Sequence, residues 1–281
     1  MTAKIDPSAR RIVELEFELP GTPEQVWQAI ATGPGISSWL FPTEVEERAG
    51  GAVAFHMGPG MESSGTVTAW EPPVRFAYEE PDWSPNAPPL GTEFIIEARS
   101  GDTCVVRLVH SLFGSSEEWD DQLAGFETGW TSFFRVLRLY LLHFQGLRCA
   151  PFRVMGVAPG TEPEAWEVLS TALGLASAGP GGPAKGQRLS TPAGVPRIAG
   201  VVERGTEGEP GHEILLRLEE PAPGIAMMGA YTWGGSAHAA ISFFLYGDRA
   251  PAAAAHDEPL WSAWMKELFP PPAVSESEEK P

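Results

Sequence analysis

Ser115 to Gln145 reads SSEEWDDQLAGFETGWTSFFRVLRLYLLHFQ, and its apolar residues return every three or four positions: Trp119, Leu123, Phe126, Trp130, Phe133, Leu137, Leu141 and Phe144. That spacing puts all eight on one face of a 3.6-residue helix, and a face so rich in rings is buried. Both ends of the helix are signalled. Ser115 with Glu118 has the S-x-x-E form of a capping box. Glu117, Glu118, Asp120 and Asp121 sit at the positive end of the dipole, and Arg135, Arg138 and His143 lie toward its negative end. Gly125 and Gly129 each cost about 1 kcal/mol relative to alanine in a helix interior. Either they make room for side chains of a neighbouring sheet, or they mark a strip that a ligand or a backbone approaches closely.

Upstream of this helix the pattern changes from period 3.6 to period 2. Ile12 to Leu19 alternates strictly, so Val13, Leu15, Phe17 and Leu19 face a core from one strand. Thr22 caps a short helix with Pro23 at its first position and Val26, Trp27 and Ile30 on its apolar face, ended by Gly33-Pro34-Gly35. Six strands follow as a meander: Glu44 to Arg48, Ala52 to Met57, Gly65 to Trp70, Val74 to Glu80, Thr92 to Arg99 and Thr103 to Ser111. Alternation sends Phe76, Tyr78, Phe94, Ile96, Cys104, Val106, Leu108 and His110 inward and Arg75, Glu93, Glu97, Arg99 and Arg107 outward. The expected architecture is α+β, a curved antiparallel sheet with an aromatic concave face covered by the long helix.

Several short motifs now fall into a known order. These are Thr22-Pro23-Glu24-Gln25-Val26-Trp27, Arg48-Ala49-Gly50-Gly51, Gly65-Thr66-Val67 followed by Glu71-Pro72-Pro73-Val74-Arg75-Phe76, Val109-His110-Ser111, and Gly129-Trp130. Together they resemble the START-like (SRPBCC) superfamily, with its helix-grip fold. Within it they look most like the branch named after the activator of the ninety-kilodalton heat-shock chaperone's ATPase. The resemblance covers about the first 145 residues. Leu112 departs from it, since many relatives carry a glycine after the His-Ser pair, and this leaves the local turn open. The resemblance implies a space between sheet and long helix that takes lipids, steroids, polyketides or other apolar molecules. Its branch name implies a protein-interaction role instead, and some relatives cyclise or dehydrate polyketides.

From Cys149 onward, Thr161 to Leu169 echoes Thr22 to Ile30, again a helix with a tryptophan a few residues past its proline. Ser177 to Gly194 is rich in Gly and Pro and reads as a linker open to proteolysis. Ile198 to Arg204, Glu213 to Glu219, Ile225 to Tyr231 and Ile241 to Tyr246 read as strands, and Pro259 to Phe269 as a closing helix. The expected division is a START-like domain over 1–148, a shortened second copy over 149–272 and an acidic tail over 273–281.

The chain has 281 residues, a formal net charge of −18, 43% hydrophobic residues and ten tryptophans. So negative a surface repels nucleic acid and anionic membranes, and no apolar run is long enough to span or insert into a bilayer. Cys104 and Cys149 form no C-x-x-C pair, the six histidines form no H-x-x-x-H, and no nucleophile elbow or P-loop occurs. No cofactor, metal ligand or catalytic residue is therefore assigned. A cytoplasmic protein is expected, with a small apolar molecule as partner and a protein partner or a second copy of the chain as further possibilities. The candidate cavity is lined by Phe76, Tyr78, Phe94, Ile96, His110, Phe126, Gly129, Trp130, Phe133 and Leu137. His110 either orients a polar group on the ligand or acts as acid/base, or else it hydrogen-bonds the helix start. No acid/base pair is evident on this face, which favours a binder over an enzyme.

Overall fold

The structure, a computed structural model, describes residues 11–58, 61–83, 87–112, 120–175, 182–205 and 212–271, with side chains described from Glu127 onward in the long helix. Two compact units divide the chain, Met1–Cys149 and Ala150–Pro281. The first begins with β1 (Arg11–Pro20), α1 (Pro23–Ala31) and α2 (Gly33–Ile36). β2 (Thr43–Val45), β3 (Ala52–Gly58), β4 (Met61–Glu71), β5 (Arg75–Glu80), β6 (Leu90–Ala98), β7 (Thr103–Leu112) and α3 (Asp120–His143) follow. Its seven strands lie in the order β1-β7-β6-β5-β4-β3-β2. Consecutive strands are joined as hairpins, and the first strand returns beside the last. β1 and β7 pair over ten residues, from Arg11 opposite Leu112 to Pro20 opposite Thr103.

Local chemistry explains the entry into α1. The Thr22 side chain accepts from the Gln25 amide while the Gln25 side chain accepts from the Thr22 amide, a reciprocal capping box with Pro23 in the first turn. Trp39, fully buried, donates its indole N–H to the Ala29 carbonyl at 2.9 Å and ties the corner after α2 back to α1. Alternation holds along β7, where Cys104, Val106, Leu108 and His110 are buried and the residues between them are half-buried. Leu112, left open by the sequence, simply continues β7, opposite both Arg11 and Leu90. Register shifts in β3–β4 and β4–β5 add local bend to the sheet.

α3 lies against β1 and α1. The expected capping box at Ser115 and the ring of Trp119 fall outside the described residues. Of the expected stripe, Trp130, Leu137, Leu141 and Phe144 are buried. Phe134 joins them, stacked on Phe17 of β1 with centroids 3.8 Å apart. Phe133 is half-buried and meets Phe41 edge-on. A stripe at 130, 134, 137, 141 and 144 fits helical spacing as well as one passing through 133, so periodicity alone does not choose between the adjacent phenylalanines.

The second unit contains β8 (Cys149–Ala158), α4 (Glu162–Ala172), β9 (Arg188–Ser190), β10 (Ala199–Arg204), β11 (His212–Glu220), β12 (Gly224–Trp233), β13 (Ser236–Tyr246) and α5 (Ala250–Leu268). The order β8-β13-β12-β11-β10-β9 repeats the plan of the first sheet with one strand fewer. α4 repeats the capping box through Thr161 and Glu164 and packs against β11, β12 and β13. Three expectations change here. β8 precedes α4 although no strand is expected there, β9 forms inside the expected linker, and α5 starts nine residues before Pro259, which lies within the helix. No helix among the described residues is long and apolar enough to cross a membrane.

Phe134→Ala removes a fully buried ring and is expected to destabilise the first unit by about 3–5 kcal/mol, with Phe133→Ala costing distinctly less. Urea unfolding followed by tryptophan fluorescence compares the two; equal losses would mean that the 133 and 134 rings share the interior.

Candidate functional site

The concave face of the first sheet is read by following register across the strands. On β5, Phe76, Tyr78 and Glu80 point the same way, and all three are buried. Phe76 lies opposite Phe94 on β6, which lies opposite Leu108 on β7. One step along, Tyr78, Thr92 and His110 form a row across β5, β6 and β7; one step further come Glu80, Leu90 and Leu112. A wall of rings therefore gives way, toward one end of the sheet, to polar groups.

The rings contact one another. Phe94 sits 5.7 Å from Trp130 and 6.4 Å from Phe134 between centroids, so α3 closes directly on β6. Trp39 approaches Trp130 and Phe134, and Phe55 on β3 approaches Tyr78 at 5.3 Å. Phe76, Tyr78, Phe94, Ile96, His110, Trp130 and Leu137 are thus gathered between sheet and helix. Phe133 stands aside on Phe41, and the Phe126 ring lies outside what is described. An added Cβ at Gly129 would meet nothing within 4 Å, so no close neighbour accounts for that helix glycine.

The polar groups are linked. His110 Nδ1 lies 3.0 Å from Thr92 Oγ1 and 3.4 Å from the Gly91 carbonyl, and its ring meets Trp130 edge-on at 5.4 Å. Burial among these rings pushes the imidazole down to about 4, with the Gly91 carbonyl opposing, so it is neutral near pH 7. Tyr78 is pushed well up, first by burial and then by the nearby Glu80, with a Thr92 hydrogen bond opposing. Glu80 is 7% exposed and takes a very short hydrogen bond from the Ser63 hydroxyl of β4. Burial holds its carboxyl up to about 7, only partly offset by Ser63.

Glu80 is absent from the lining expected from sequence. The signal is present, because alternation from Phe76 through Tyr78 reaches it next, but a glutamate at a strand end reads as solvated. Gly65 of β4, beside it on the neighbouring strand, lets the two backbones approach closely: a Cβ there would come within 2.2 Å of the Glu79 carbonyl oxygen and 3.1 Å of the Glu80 side chain. Among the described residues no three His, Cys, Asp or Glu side chains are placed to hold a metal ion, and both cysteines are free.

A curved antiparallel sheet, short helices after its first strand and a long final helix over its concave face define a helix-grip domain. Residues 20–141, within the first unit, match the family described as Activator of Hsp90 ATPase homolog 1-like protein. Among solved structures, the di-domain ARO/CYC BexL from the BE-7585A biosynthetic pathway is 14% identical, with 96% of this chain and 100% of that chain covered at a TM-score of 0.44. CalU16 from Micromonospora echinospora is 21% identical over 49% of this chain and 80% of that one, with a TM-score of 0.41. The Aha1 dimer from Colwellia psychrerythraea is 20% identical over 48% and 99%, also at 0.41. Likeness at this level assigns no activity. No curated protein matches the sequence.

Glu80 and His110 have opposite effects on stability against pH. A carboxyl at about 7 in the folded chain, against 4.5 ordinarily, keeps a proton that the unfolded chain releases; its stabilisation is full below pH 4.5 and lost as pH rises through about 7. An imidazole at about 4 instead of 6.5 contributes above pH 6.5 and loses that contribution as pH falls through about 4. Comparison with Glu80→Gln isolates the first. The unfolding free energy of the wild type should fall relative to the variant by on the order of 3 kcal/mol between pH 4.5 and 7. Urea titrations across that range check this, and a pH-independent difference would place the carboxyl in solvent.

Proposed function

We propose that the first unit binds a small, mostly apolar molecule between its concave sheet and α3, oriented by the polar row of Tyr78, Thr92 and His110 with Glu80 beside it. One observation carries this reading: ionisable groups persist inside an otherwise aromatic interior. Apolar side chains of similar shape would serve stability at least as well as a buried polar network, so such groups point to a task other than holding the fold. Ligand sites have this composition, mainly apolar walls with a few placed polar groups. The second unit supplies the contrast. Its interior residues on β11, β12 and β13, among them Ile214, Leu216, Met228, Ile241 and Phe243, are apolar.

The same two groups favour catalysis as the second reading. Glu80 and His110 stand on adjoining rows, one carboxyl raised and one imidazole lowered, and pairs pushed apart from their ordinary values in this manner do acid/base work in enzymes. A chaperone-directed role, suggested by the family's description, has no comparable feature in the interior to support it.

Native mass spectrometry and a thermal-shift screen against steroids, aromatic polyketides and fatty acids test the binding reading. At a hundredfold excess over its dissociation constant a true ligand stabilises by about 2.7 kcal/mol. At least one apolar compound should raise the melting temperature of the wild type, and less so that of Gly129→Leu, which fills space beside Trp130. An equal rise in the variant would put the site elsewhere. Turnover of the bound compound, lost in His110→Ala, would replace binding by catalysis.

A further inference from the structure

Among the described residues the Glu80 carboxyl has no counter-charge: its one hydrogen-bonding partner is Ser63, and neither Lys nor Arg pairs with it. The other titratable groups on the concave face, again among the described residues, are Tyr78 and His110. Facing them from α3, Trp130 and Phe134 carry no charge, nor do Val26, Trp27 and Ile30 on the buried side of α1. The acid's neighbours along this face of the sheet are aromatic. Ser63 lies directly opposite Phe55, and Phe55 packs on Tyr78, the residue two before Glu80 on the same face. A buried acid with aromatic neighbours suits a cation, because the carboxylate supplies the charge and the rings an attractive quadrupole. At long range the net charge of −18 draws cations in and keeps anions out.

We infer that the interior of the first unit selects an apolar molecule carrying a basic nitrogen, with Glu80 as the residue that sets this preference. The inference rests on the binding reading above. Fatty acids and other anionic amphiphiles are disfavoured by the same two features, the buried acid and the negative surface. When such an amine binds near pH 6, the carboxyl gives up its proton to solvent and forms an ion pair with the ammonium, so one proton leaves for each ligand that enters. Glu80 is otherwise protonated at that pH, held near 7 by burial.

Three isosteric probes test this: 1-naphthylmethylamine, 1-naphthalenemethanol and 1-naphthoic acid, titrated calorimetrically into the whole chain at pH 6 in two buffers of different ionisation heat. The amine should bind at least tenfold tighter than the alcohol and the acid weakest, with about one proton released per amine bound. Glu80→Gln should bring the amine to the level of the alcohol and abolish proton release. Ser63→Ala, which keeps the acid, should retain the preference and serves as a second probe if the first variant is poorly folded. Equal binding of amine and alcohol by the wild type would overturn the amine preference and leave the binding reading standing. An amine preference that survives Glu80→Gln would assign it to the surface charge. Failure of all three probes to bind would count against the binding reading itself, and the preference would fall with it.

Discussion

Each sheet depends on one long-range contact, the pairing of its first strand with its last. β1 meets β7 only after more than eighty residues have intervened, and β8 lies beside β13 in the same way. Hairpins can form early and locally, but this pairing carries the loop-closure cost of the whole unit. The covering helix is subject to the same constraint. α3 rests on β1, through Phe134 stacked on Phe17, so it has a seat only once the strand has been brought home. The interior between sheet and helix is a product of that closure.

The two interiors differ in what they contain. In the second unit, Phe152, Phe243 and Trp261 pack together among aliphatic residues. In the first, a larger set of rings adjoins a hydrogen-bonded row running from Thr92 to His110, with a carboxyl close by. A buried ionisable group is favourable only if something compensates its desolvation, and a single serine hydroxyl does little of that. The stability forgone at Glu80 falls on the concave sheet face of the first unit, and it marks where chemistry outweighs packing.

Much of this is legible in the residues. Strict alternation in β1, and alternation from Thr103 to His110, assign the inward faces, and Thr22 followed by Pro23 announces α1. Where the sequence misleads, competing signals explain the result. Phe133 and Phe134 are neighbours on a helix, and the positions of Phe17, Trp39 and Phe94 decide which of them is covered. Pro259 looks like a helix start because it lacks an amide proton, yet the helix tolerates it nine residues in. The preceding alanines have high helix propensity but no amphipathic contrast to reveal it. Glu80 is easily passed over because charge normally means solvent, and the close backbone approach beside it depends on the absence of a side chain at Gly65, one strand away. The β8 strand does alternate, with Phe152 and Val154 inward, but Pro151 and Gly156 obscure the run.

Two sheets of one plan, only one of which carries a hydrogen-bonded polar row on its core face among the described residues, leave the chain unequally open to sequence drift. A sheet face that is apolar throughout accepts hydrophobic exchanges so long as total volume is kept. A row such as Tyr78, Thr92 and His110 does not, because each member answers to a particular neighbour and the loss of one strands the next. The second half is thus free to change its letters while keeping its shape, and the first is held to its letters by what it must touch.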